Sequence, residues 1–123
     1  MTTEHTEAAL PRSKRLAVRI IRLYQSLCSQ HQEQRELFQP LLQAGTGIGA
    51  ALVETGWAVS AKDFLLKTHT ALKACVGTVY WLNLLCETEY LAPHEYKSLV
   101  ADCEELRKLL VAAVKTPPTG LQR

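Results

Sequence analysis

From Leu16 onward, large apolar side chains recur at Ile20, Leu23 and Leu27, at spacings of four, three and four. The same period returns in three later segments, and it is the period of one face of an α-helix. In the second segment it is carried by Leu37, Leu41, Ala44, Ile48 and Leu52, and it continues to Glu54 before Gly56 stops it. In the third it runs through Phe64, Thr68, Ala71, Leu72, Cys75, Val79, Leu82 and Cys86, and in the fourth through Tyr96, Leu99, Val100, Cys103, Leu106, Leu110 and Val114. No stretch alternates apolar and polar residues as a half-buried strand would, and no internal repeat is visible. A chain of 123 residues, 47% hydrophobic, fits one domain with a sizeable core. The expected fold is therefore all-α, an antiparallel up-and-down four-helix bundle with mostly short connections.

Local signals place the boundaries. Leu10-Pro11 closes a polar stretch without periodicity, so residues 1–12 are expected to be a flexible lead-in, with the bundle spanning 13–115. Pro40 either opens the second helix or kinks its first turn. Ser60, three residues before Asp63, supplies a capping hydroxyl at the start of a third helix that should run to about Glu89. Pro93 suits the first turn of the fourth helix. Thr116-Pro117-Pro118-Thr119-Gly120 cannot continue a helix, so 116–123 is expected to be a flexible tail.

The third helix is apolar on more than one side. Leu66, Gly77, Tyr80 and Leu84 point away from its core stripe, with Trp81 expected nearly opposite that stripe. One small domain covers only one such face, so these five residues form the expected oligomer interface. Gly45, Thr46, Gly47, Ile48 and Gly49 resemble a phosphate-binding glycine loop, but no strand precedes them and no Lys-Ser/Thr pair follows. Gly45 and Gly49 stand four apart, and the expected gain that offsets their poor helix propensity is close approach of another helix or of Trp57 or Trp81. Tolerated weak helix formers are the plainer alternative.

Charge is polarised along the chain. Arg12, Lys14, Arg15, Arg19 and Arg22 place five positive charges and no negative one in eleven residues, whereas the rest holds nine basic against twelve acidic residues. Four of the five fall near one helical face, which could line phosphates of RNA or DNA. A solvated face, or intersubunit ion pairs with Asp102, Glu104 and Glu105, is the competing reading. His5, His31, His69 and His94 are scattered along the chain and build no metal-ligand cluster, so no metal site is expected. No nucleophile–base arrangement is legible either, so neither catalytic residues nor a cofactor are expected. Cys28, Cys75, Cys86 and Cys103 sit among apolar helical neighbours and read as reduced, buried side chains of a cytoplasmic protein. The longest apolar runs are too short to span a membrane, and the start does not read as a signal peptide.

The ordered series Ala44-Gly45-Thr46-Gly47-Ile48-Gly49-Ala50, Ser60-Ala61-Lys62-Asp63-Phe64, Ala71-Leu72-Lys73, Thr78-Val79-Tyr80-Trp81-Leu82 and Cys103-Glu104-Glu105-Leu106 closely resembles the bacterial four-helix-bundle protein family. That family includes proteins encoded in intervening sequences of 23S rRNA genes and is related to the accessory variability determinant of diversity-generating retroelements. The resemblance covers roughly residues 13–115. It implies a homopentamer without known catalysis and a role in binding RNA or DNA, with a reverse transcriptase as partner in the retroelement relatives. A protein–protein interaction module of the intervening-sequence type, without nucleic acid, is the alternative. The resemblance marks Gly45, Thr46, Ile48, Gly49, Lys62, Asp63, Phe64, Tyr80 and Trp81 as signature positions. Gly47, Ala51 and Val76-Gly77 depart from the Ser, Asn and Arg-Glu common there, which makes the third helix more apolar and suits burial at a subunit interface.

Overall fold

The computed structural model describes residues 2–118. Four helices follow one another: α1 (Glu4–Gln30), α2 (Arg35–Thr55), α3 (Ala61–Glu87) and α4 (Pro93–Lys115), with a single 3-10 turn at Gln32–Gln34 before α2. Each helix packs on the next, and α4 closes back onto α1, while the backbones of diagonal helices lie further apart among the described residues. That is a four-helix bundle, and its short connections make consecutive helices antiparallel.

The first helix begins well before the expected boundary. The backbone amide of Thr6 donates to the Thr3 hydroxyl at 3.3 Å and the amide of Thr3 donates to the Thr6 hydroxyl at 2.9 Å, a reciprocal cap that satisfies two amides of the first turn. Thr6, Ala9 and Ser13 are buried with Leu16 and Ile20. The core stripe thus extends towards the N-terminus through small and hydroxylated side chains, which carry no hydropathy signal. Residues 4–12 are helix rather than lead-in, and Pro11 lies inside α1 with its ring exposed. Pro11 removes only the amide that would donate to the carbonyl of Glu7, an exposed residue whose carbonyl water can satisfy. Met1 lies outside the described residues.

Pro40 is also internal, because α2 starts five residues earlier, at Arg35. At the other boundaries the caps are explicit. Asp63 donates its amide to the Ser60 hydroxyl at 3.0 Å, and its carboxylate accepts from the Val59 amide at 3.1 Å. The third helix ends at Glu87 rather than Glu89, because Glu89 adopts φ 68. Its amide donates to Cys86 and that of Tyr90 to Leu85, at 3.1 and 2.9 Å. This is a Schellman closure with glutamate where glycine is usual. The fourth helix ends at Lys115 and Thr116–Pro118 are non-helical; the expected tail beyond them, 119–123, lies outside the described residues.

Phe38, Phe64, Leu16, Ile20, Leu41, Ile48, Leu52, Leu82, Leu85, Leu99, Leu106 and Leu110 fill the core. Its threonines are satisfied within their own helices: Thr55, Thr68 and Thr78 donate to the Leu52, Phe64 and Ala74 carbonyls at 2.6–2.8 Å. Small residues set two of the helix seams. A Cβ at Gly45 would stand 2.8 Å from Cγ2 of Ile20, and one at Gly49 would stand 3.1 Å from the Ser13 hydroxyl, so α1 lies directly on the glycine face of α2. Across the next seam, a Cβ at Gly47 would meet Ala74, and one at Gly77 would meet Ala44, at ordinary contact distances of 3.8 and 3.9 Å.

Candidate nucleic-acid interface

The spacing of Arg12, Arg15, Arg19 and Arg22 at three, four and three residues places them along one flank of α1, since these steps return to nearly the same helical angle. The structure puts that flank at the seam with α4. Arg12, Arg15 and Arg22 are exposed. Arg19 is half-buried and held at two points of α4, donating to the Asp102 carboxylate at 2.6 Å and to the Ser98 hydroxyl at 2.9 Å.

Two clefts open along the seam. Arg12, Arg15 and Asp102 line a shallow one of about 40 Å³. Arg19, Arg22, Leu23, Ser26, Glu95 and Leu99 line a larger one of about 260 Å³. Four guanidinium groups are therefore met by two carboxylates from α4, leaving the flank positive. A screened pair between partly exposed groups such as Arg19 and Asp102 contributes less than about 1 kcal/mol, so its effect is to orient the guanidinium. Glu104 and Glu105 take no part, because they pair within α4 with Arg107 at 2.9 Å and Lys108 at 3.6 Å. Lys14 lies on the adjoining side of α1, where it lines a groove with Pro11, Arg15 and Val18. It also borders an apolar groove of about 380 Å³ towards α2, with Leu10, Pro11, Ala17, Gly49, Ala50 and Val53.

The residues expected at an oligomer interface divide. Leu66 and Tyr80 are 59% and 58% exposed and Leu84 is half-buried. Gly77 lies at the α2–α3 seam opposite Ala44. Trp81 is not opposite the core: its ring packs against the core cluster and stands edge-on to Tyr80, with centroids 5.3 Å apart. One residue along a helix is a rotation of about 100°, so Trp81 lies beside the stripe of Leu82, and a side chain as large as Trp reaches the core from there. Further exposed apolar residues escaped the periodicity: Val76 beside Tyr80, and Val53, Trp57 and Val59 around the α2–α3 connection. The signal that could have found them is large apolar residues off the core stripe of α2 and in its following turn.

Among the described residues, no group of three or more His, Cys, Asp or Glu could hold a metal ion, and no helix is long and apolar enough to cross a membrane. The arrangement offers a charged ridge and apolar patches.

Comparison with known proteins finds the same architecture. A protein of unknown function from the S23 ribosomal protein family of Bacteroides thetaiotaomicron, seen in a crystal structure, superposes with a TM-score of 0.87 at 38% identity, covering 91% of this chain and 99% of that one. No curated protein matches significantly. The family model described as 23S rRNA-intervening sequence protein matches residues 8–112. With that span taking in nearly all of the four helices, the chain belongs to the 23S rRNA-intervening sequence protein family.

Proposed function

We propose that this bundle is a non-enzymatic, self-associating scaffold that binds RNA or DNA through the basic flank of α1. The observation that carries the reading is the alignment of Arg12, Arg15, Arg19 and Arg22 along one seam, with Arg19 held by Asp102 and Ser98 and the other three guanidinium groups free to meet phosphates. Lys14 adds a charge on the adjoining side of the helix. Self-association is supported by the exposed Leu66, Val76 and Tyr80 of α3, a face that a copy of the chain would cover. The homopentamer, and a place as accessory to a retroelement reverse transcriptase, enter the proposal through the resemblance to the family's relatives.

Anisotropy titrations with a structured RNA and with duplex DNA, repeated across salt, test the reading. If three phosphates are neutralised, affinity for duplex DNA falls about 40-fold between 50 and 200 mM salt. Arg12→Glu, Arg15→Glu and Arg22→Glu together should abolish binding while the helical circular dichroism stays unchanged. Equal affinity for wild type and triple variant refutes the nucleic-acid reading. Should that happen while light scattering still reports an assembly, the exposed α3 face favours the second reading, a protein–protein module without nucleic acid.

A further inference from the structure

Cys75 of α3 and Cys103 of α4 face each other across the core seam, 1% and 0% exposed. The Cys75 thiol donates to the Cys103 backbone carbonyl, with Sγ and O 3.2 Å apart. Beside this pair a cleft of about 160 Å³, lined by Cys75, Val76, Val79, Glu104 and Arg107, opens to the surface. That space exceeds the roughly 30 Å³ that a water molecule occupies in the liquid, and so admits a small polar oxidant to the Cys75 side. We propose that Cys75 and Cys103 are a redox-sensitive dithiol, which a small hydroperoxide entering by the α3–α4 cleft oxidises to a disulfide joining the two helices.

The two thiols are not equivalent. A hydrogen bond from the Cys103 thiol favours the Cys75 thiolate and holds Cys75 below the usual thiol range, with the Arg107 guanidinium acting in the same direction against burial and the charge of Glu104. The same bond, followed by burial, pushes Cys103 well above that range. Cys75 lines the cleft and Cys103 does not, so Cys75 meets the oxidant first as the nucleophile and Cys103 behind it is the resolving thiol. The Cys75 thiolate attacks one peroxide oxygen, the O–O bond breaks, and hydroxide leaves and takes up the proton released by Cys75, giving a sulfenic acid and water. The Cys103 sulfur then attacks the sulfenic sulfur and loses its proton, the S–O bond breaks, and a second water departs. Two thiols are oxidised and one peroxide is reduced. Closing the bond needs Sγ atoms about 2.0 Å apart, so side-chain rotation and an approach of α4 to α3 must accompany it.

Cys86, further along α3 and more exposed than Cys75, is a control inside the molecule, since simple accessibility would make it react first. The full-length folded protein is treated with hydrogen peroxide, then unfolded, alkylated and mapped by mass spectrometry without reductant. The expected result is a Cys75–Cys103 linked peptide, with the chain lighter by about 2 Da before alkylation, Cys28 and Cys86 still alkylatable, and full reversal by dithiothreitol. In a folded Cys103→Ser protein, Cys75 should stop at the sulfenic acid and be trapped by dimedone; Cys103→Ala serves if that variant is unstable. Oxidation of Cys86 with Cys75 and Cys103 left as thiols, or a link formed by any other pair, overturns the proposal.

Discussion

Replacing Gly45 with alanine tests whether the glycines of α2 exist for packing. An alanine in place of glycine inside a helix gains about 1 kcal/mol in propensity. At Gly45 the new Cβ would lie 2.8, 2.9 and 3.1 Å from Cγ2, Cγ1 and Cβ of Ile20. That residue is fully buried and β-branched, so it has no free end to swing aside. Overpacking of this kind costs about 2–3 kcal/mol, leaving a net loss of about 1–2 kcal/mol. At Gly47, two residues away on the same helix, the Cβ would rest 3.8 Å from that of Ala74. There the propensity gain survives, and Gly47→Ala should stabilise by about 0.5–1 kcal/mol. For a chain of this length 1 kcal/mol moves the midpoint by roughly 4 °C, so thermal unfolding should separate the two variants by roughly 8 °C, in opposite directions from wild type. In an Ile20→Ala background, which removes the two closest atoms and keeps only Cβ, the Gly45→Ala penalty should shrink, the coupling that a double-mutant cycle isolates. Equal stabilisation by both substitutions, or a penalty undiminished by Ile20→Ala, refutes the close approach of α1.

Three further outcomes are expected. Glu89→Gly relieves a left-handed backbone conformation and should raise stability by about 0.5–1 kcal/mol in urea titrations, whereas Glu89→Val should lower it. Thr3→Ala removes the reciprocal cap of α1; it should cost about 1 kcal/mol and speed amide exchange through residues 4–9, and unchanged exchange there would restore a flexible lead-in. Asp102→Asn frees Arg19 at a cost below about 1 kcal/mol in stability, and at low salt it should tighten RNA binding several-fold if the α1 flank is the contact.

The sequence by itself determined that the chain is helical, with four segments of 3.6-residue period, the Ser60 and Pro93 starts and a basic flank on the first helix. These are local properties, written in residue spacing and in side chains that act within a turn of their own position. Tertiary structure decided the remainder. Thr6, Ala9 and Ser13 count as core only because other parts of the fold bury them, so the first helix is longer than its hydropathy suggests. Whether a glycine is tolerated or required depends on the neighbour that its missing Cβ would strike, and Ile20 is twenty-five residues from Gly45. Arg19 looks like Arg15 and Arg22 in sequence, yet α4 supplies the carboxylate that holds it. Cys75 and Cys103 read as separate small hydrophobes until the bundle sets the Cys75 thiol against the Cys103 carbonyl. Each case turns on contacts between segments far apart in the chain, which periodicity cannot encode because it records which face is buried and not what buries it.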